Sequence, residues 1–160
     1  IREFKTIKTE DLVQIIDSVK KYQKTKIHNS TKIFQALRIL VNKEISELIN
    51  ALINSFHLIP IGGVIAVVTF HSIEDKIVKF FFKHYSEERN SSRYMPNEEV
   101  SEKCFKIINK KPILPGFKEV SQNPPSRSAK LRYAIKINQK CNFNDLREKF
   151  KYLTDVEELR

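Results

Sequence analysis

Glycine is scarce in this chain, with Gly62, Gly63 and Gly116 the only three among 160 residues. None forms the glycine-rich turn after a first strand that lets backbone approach a nucleotide-like cofactor. Cysteine is scarcer still: Cys104 and Cys141 lie far apart, and neither has a second Cys or a His at metal-ligand spacing. Neither a zinc site nor a disulfide framework is indicated, and two buried or idle thiols are expected. Long apolar runs are also missing. None approaches the roughly 18 residues that span a bilayer, and the charged start Ile1-Arg2-Glu3-Phe4-Lys5 is not followed by a signal-peptide core. The expectation is a soluble, cytoplasmic protein without a membrane partner. Because the chain begins at Ile1 and not Met, it is expected to start inside a longer reading frame.

Positive charge, by contrast, is plentiful. Lys and Arg number 29 against 19 Asp and Glu, a net charge of +10. Residues 90–140 alone hold eleven basic and four acidic residues, so they carry +7 of it. A polyanion such as RNA gains affinity from every cation that releases a counterion, which makes nucleic acid the leading partner. A merely solvating basic surface is the other reading. The hydrophobic fraction of 41% is that of an ordinary globular core.

Apolar periodicity places the elements. Leu12, Ile15, Ile16 and Val19 mark a short amphipathic helix over 9–22. Phe34, Leu37, Val41, Ile45, Leu48, Leu52 and Phe56 then advance by three or four residues, the repeat of one helical face. Asn42 is a cap-forming residue followed by Glu44 and Glu47, so one kinked helix and two abutting helices both fit. Pro60-Ile61-Gly62-Gly63 ends the segment. The run Val64 to Phe70 lacks polar alternation, as in a central strand covered on both faces. Ser72 is the expected N-cap of a helix over 73–85, with Glu74 and Asp75 in its first turn. Residues 86–102 read as an exposed loop. Phe105 to Asn109 and Leu131 to Ile137 are candidate late strands, and Leu146, Phe150, Leu153, Val156 and Leu159 mark a last helix. Helix, strand, helix in this order predicts an open α/β sheet.

Ligands of such sheets bind beyond the carboxyl ends of strands, where His71 and Ser72 fall. Alone they carry little, since a capping serine and a hydrogen-bonded histidine are commoner than a catalytic pair. No Asp or Glu completes a nucleophilic triad by its spacing.

Three longer strings carry more. The first is His28-Asn29-Ser30-Thr31-Lys32-Ile33-Phe34-Gln35-Ala36-Leu37-Arg38-Ile39, followed by Val41-Asn42 and Glu44. The second is Thr69-Phe70-His71-Ser72-Ile73-Glu74-Asp75-Lys76-Ile77-Val78-Lys79, and the third Asn123-Pro124-Pro125-Ser126-Arg127-Ser128-Ala129-Lys130-Leu131-Arg132. In this order they resemble the ribosomal RNA small-subunit methyltransferase H family, also called MraW. Asn29, Lys32 and Pro125 depart from its pattern, replacing a proline and two arginines. The tail beyond Lys140 has no counterpart in the resemblance.

The resemblance implies a class I, Rossmann-like methyltransferase with a helical domain inserted in its sheet, transferring methyl from S-adenosylmethionine to N4 of a cytosine in 16S ribosomal RNA. This chain would be its C-terminal part: 1–41 the end of the inserted helical domain, 42–140 the later part of the methyltransferase domain, 141–160 a helical tail. The cofactor would be bound mainly by the missing N-terminal half, with no cofactor-binding residue and no metal site here, and the isolated piece would be inactive. Since the base must leave its stack, Phe70, His71 and Ser72 are candidates for the pocket wall. Arg127, Ser128, Lys130 and Arg132 combine hydroxyls and cations suited to RNA phosphates. Structurally, strand alternation would instead turn Lys130 and Arg132 to solvent, with Arg127 paired to Glu74 or Asp75. Arg38 is expected in a structural ion pair. No side chain is assigned to removing the amine proton. The alternative function is a non-catalytic, basic RNA-binding module.

Overall fold

A computed structural model describes residues 8–19, 29–87 and 103–158. The chain divides into two compact units, residues 1–44 with 156–160, and residues 45–155. The expected exposed loop over 86–102 falls almost wholly outside the described residues, as does Leu159.

In the first unit, α1 (Thr9–Val19) has Glu10 and Asp11 in its first turn, where acids complement the positive end of a helix. It packs against α2 (Asn29–Asn42). Ile16 is buried, but Val19 is exposed and does not join the apolar face expected of it. The long apolar stripe is split. Lys43 adopts a φ of 52°, a left-handed conformation that no α-helix continues through, so α2 ends at Asn42 and α3 (Glu44–Leu58) starts anew. Arg38 grips Glu44 across this break, with Nε to Oε1 at 2.7 Å and Nη2 to Oε2 at 3.0 Å. That bidentate pair is the structural role expected of Arg38.

The second unit is built on α3, which buries Ile45, Ile49, Leu52, Ile53 and Phe56. After it, Gly62 takes a φ of 86°, and a Cβ on Gly63 would meet the Pro60 carbonyl oxygen at 2.9 Å. These two glycines therefore make the turn into β1 (Val64–Thr69), which leads to α4 (Ser72–His84). Next come the short β2 (Phe105–Lys106), α5 (Phe117–Gln122), a 3-10 turn (Pro124–Ser128), β3 (Lys130–Lys136) and α6 (Asn144–Glu158). The late strands differ slightly from expectation. Phe105 to Asn109 shortens to two residues, and the proline-rich connection holds a helix and a 3-10 turn.

The sheet has the order β1-β3-β2, both pairings antiparallel. β1 is thus an edge strand and not the central one expected. Its buried positions are Ile65 and Thr69, whereas Val64 and Val68 are each 54% exposed. The run is apolar on both faces, yet only one is covered among the described residues. The α/β character holds, and the described residues form six helices and a small antiparallel sheet.

The core is aromatic. Phe56, Phe81 and Phe105 are fully buried, and ring centroids lie 5.5 Å apart for Phe56 and Phe105, 5.0 Å for Phe81 and Phe105, and 5.1 Å for Phe56 and Phe143. Truncating one such ring to alanine costs about 3–5 kcal/mol in typical cores. α6 is docked through buried Leu146 and Phe150, and the Leu146 amide donates to the Tyr85 hydroxyl at 3.1 Å.

Cys104 and Cys141 form a disulfide, correcting the expectation of idle thiols. They stand 37 positions apart in the chain, so no local spacing announces the pair. The end of β3 returns beside Cys104, where the Ile137 amide donates to the Cys104 carbonyl at 3.0 Å, and the two Cα atoms come within 6.0 Å.

Candidate functional site

The register of β1 with β3 sets Thr69 opposite Lys130, so the second and third sequence strings meet at one end of the sheet. Thr69 is buried, and its hydroxyl donates to the Lys130 carbonyl at 3.3 Å. The chain then leaves the sheet through Phe70, which is 56% exposed, and enters α4.

His71, and not Ser72, caps this helix. Its Nδ1 accepts from the Glu74 amide at 3.4 Å, while Glu74 Oε2 accepts from the backbone amides of Phe70 at 2.9 Å and His71 at 3.3 Å. This reciprocal arrangement is a capping box with histidine in the place usually taken by serine or threonine. Serine and threonine are the familiar signal, which is why sequence pointed one residue too far. Ser72 is the first helical residue and its side chain is exposed.

Because Nδ1 accepts, the neutral ring carries its proton on Nε2. That nitrogen lies 3.0 Å from Glu74 Oε1 but lacks a hydrogen bond of acceptable geometry. Among the described residues, the buried side-chain polar atoms without a hydrogen-bond partner are His71 Nε2 and Ser126 Oγ. One belongs to the second string and one to the third. Buried polar atoms are nearly always paired in native proteins, so orphans of this kind mark places where a ligand can complete the bonding.

Asp75 ties the strings together. Its Oδ1 accepts from Arg132 Nε at 2.7 Å, and its Oδ2 from Lys130 Nζ at 3.1 Å and Arg132 Nη2 at 3.4 Å. Burial pushes the Asp75 carboxyl up, but hydrogen bonds and charge from Arg132 and Lys130 outweigh it and hold the group below its ordinary value. The side chains of Asp75 and Arg132 are only 13% and 11% exposed, that of Lys130 38%. Lys130 and Arg132 thus turn to α4 and not to solvent, and they, in place of Arg127, take the acid. Arg127 is exposed and donates from Nη1 to the Pro124 carbonyl at 3.3 Å, while Ser128 is exposed beside it.

The described residues contain no glycine-rich turn of the kind that would cradle S-adenosylmethionine. Gly62 and Gly63 precede β1, and Gly116 stands before α5, so no glycine turn leads from a strand into a helix among the described residues.

The sequence profile of the MraW methylase family matches residues 2–137. The chain belongs to that family. It is 41% identical over 131 residues to the Ribosomal RNA small subunit methyltransferase H of Xanthobacter autotrophicus, covering 82% of this chain and 38% of that protein. The protein of the same name from Azorhizobium caulinodans is 43% identical over 127 residues, covering 79% of this chain and 37% of the relative. That from Bradyrhizobium diazoefficiens is 36% identical over 148 residues, covering 92% and 45%. This MraW-family chain therefore spans about two fifths of the length of the curated relatives it matches.

Proposed function

We propose that this chain is the C-terminal part of an enzyme that transfers methyl from S-adenosylmethionine to N4 of a cytosine in 16S ribosomal RNA of the small subunit. The reading rests most directly on one observation: the two family strings converge where β1 ends, around a half-buried imidazole whose buried Nε2 has no hydrogen-bond partner among the described residues.

Extrusion of the cytosine places its ring against a protein wall. The half-exposed Phe70 ring would pack on the base face. The His71 Nε2–H would donate to a ring nitrogen or carbonyl oxygen of the base, and the Ser72 hydroxyl lies in the same turn. Glu74 holds the imidazole, so its orientation is set before the base arrives. Such prior positioning is where methyl transfer gains most of its rate. Arg127 and Ser128 would meet the flanking phosphates, and Lys130 and Arg132 act through Asp75 to hold β3 against α4, with part of Lys130 left to RNA.

The cofactor would supply the electrophilic methyl group and be held by the part of the relatives that this chain does not match. That part would pair along the free edge of β1 and cover Val64 and Val68. In this reading, residues 1–41 end an inserted helical domain, 42–140 belong to the methyltransferase domain, and 141–160 form a helical tail. The enzyme would work in the cytoplasm, and among the described residues no helix is long and apolar enough to cross a membrane.

The runner-up, a non-catalytic basic RNA-binding module, is favoured by the net +7 of residues 90–140 and by the lack of a cofactor cradle among the described residues. Two measurements separate them. A bacterial strain lacking its cytosine-N4 methyltransferase, complemented with the complete reading frame, should regain N4-methylcytosine in 16S RNA by mass spectrometry. Failure with expressed, folded protein would sink the enzyme reading. The 160-residue chain alone should bind no S-adenosylmethionine in calorimetry, and micromolar binding would overturn the assignment of the cofactor to the remainder.

A further inference from the structure

A second place on the sheet unit carries charge that the fold leaves unused. Between the middle of α4 and the strand β2 lies an open cleft of about 820 Å³. Lys79 and Lys83 line one side, four residues apart and therefore on one helix face, opposite the face that buries Ile77, Val78, Phe81 and Phe82. Lys106 on β2 and Lys110 beyond it line the other. Among the described residues, only one acid, Glu87, reaches the lining, and its 3.7 Å pair with Lys83 joins two side chains that are both more than 60% exposed. A pair so exposed contributes little. The side chains of Lys79, Lys106 and Lys110 have no ion pair or hydrogen bond among the described residues.

The floor is apolar. Ile108 is 56% exposed, Ile137 is 40% exposed, and the half-buried Tyr133 lies beside them. Cations on both rims with exposed apolar and aromatic surface between them suit a chain of anionic groups with flat apolar units attached. Single-stranded nucleic acid has that chemistry: its phosphates meet the lysines and its bases pack on the floor. Of the candidates above, Arg132 reaches this lining with its guanidinium bound to Asp75, whereas none of Phe70, His71, Ser72, Arg127 and Ser128 lines the cleft.

We propose that the cleft between α4 and β2 is a second RNA site, which binds a single-stranded stretch of ribosomal RNA away from the base pocket. The inference rests on the RNA-modifying reading for its choice of polyanion, but not on methyl transfer. Each lysine that neutralises a phosphate of a single strand contributes about 0.7 to the slope of log affinity against log salt. The pair Lys79 and Lys106 therefore accounts for about 1.4 of that slope.

The test is fluorescence anisotropy of a labelled, unstructured RNA oligonucleotide titrated with the full chain at several salt concentrations. The Lys79→Ala/Lys106→Ala variant should bind about tenfold more weakly, with the slope reduced by about 1.4, and Lys79→Arg/Lys106→Arg should recover most of both. Both lysines are exposed, so the substitutions leave the fold intact, which far-UV circular dichroism checks. Unchanged affinity and slope would overturn the proposal, as would absence of RNA binding by the unaltered chain at low salt. Lysine-dependent binding to polyglutamate or to phosphatidylserine vesicles, without binding to RNA, would overturn it in favour of an acidic protein or a membrane surface. Loss of RNA affinity in the alanine variant, together with failed complementation, would keep the cleft and discard the enzyme reading.

Discussion

The cations of β3 and those facing each other across α4 and β2 are the same residue types in neighbouring parts of one unit, yet the fold treats them in opposite ways. Lys130, Arg132 and Lys136 alternate along β3 on the face that also carries buried Ala134. All three are bound internally, although the Lys130 side chain stays 38% exposed. Asp75 takes Lys130 and Arg132, while Lys136, 1% exposed, donates from Nζ to the carbonyls of Phe56 at 2.7 Å and Ile59 at 2.8 Å. It closes the C-terminal end of α3, where the helix is electrically negative, and its charge lies 4.3 Å from the Phe56 ring centroid. Lys79, Lys106 and Lys110 have no such partner among the described residues. A basic sequence string therefore does not mark a binding surface until its charges are shown to be unspent.

The sharpest way to break this contrast is at Lys136. Lys136→Ala strands two carbonyls and leaves a void in the core, so chemical denaturation should record a loss of about 3–4 kcal/mol. A loss below about 1 kcal/mol would mean that Lys136 is spare charge like Lys79. Asp75→Ala should come next. It leaves the nearly buried Arg132 guanidinium without its acid, for a cost of about 2–3 kcal/mol.

The pH dependence has a definite sign. The folded Asp75 carboxyl titrates below its ordinary value, so its contribution is present above about pH 4 and is lost as pH falls through the folded value. The stability gap between the unaltered chain and Asp75→Asn should be constant from about pH 7 to 5 and shrink below about 4. A gap that widens on acidification would contradict the pairing. The smallest effect belongs to the other side of the contrast. Lys79→Ala, exposed and unpaired, should change stability by less than about 0.5 kcal/mol.

The helices were legible in sequence because each spends its apolar stripe locally. The α3 positions Ile45, Leu52 and Phe56 and the α6 positions Leu146 and Phe150 are buried as their spacing requires. The stripe failed at Val41, which is 70% exposed, because the left-handed Lys43 breaks the helical phase and no apolar count registers a single dihedral angle. β1 misled for a different reason. Its composition is that of a strand covered on both faces, yet Val64 and Val68 are exposed among the described residues.

At the site, the strings located the right turn but not the partners within it. His71 caps through a ring nitrogen, outside the usual vocabulary of caps, and the Asp75 clamp depends on a register that pairs Thr69 with Lys130 across 61 residues. The Cys104–Cys141 bridge and the Lys136 cap share that dependence on remote chain return. Sequence reads such contacts only through likeness to a family.

A double-mutant cycle on Asp75 and Arg132, read by denaturant unfolding, tests most directly whether the two family strings are bound to each other through charge. The clamp predicts that Asp75→Ala, Arg132→Ala and the double variant reveal a coupling of about 2 kcal/mol, largely insensitive to salt because the pair is nearly buried. Additive losses, with a coupling under about 0.5 kcal/mol, would contradict it and return Arg132 to the pool of charge available to RNA.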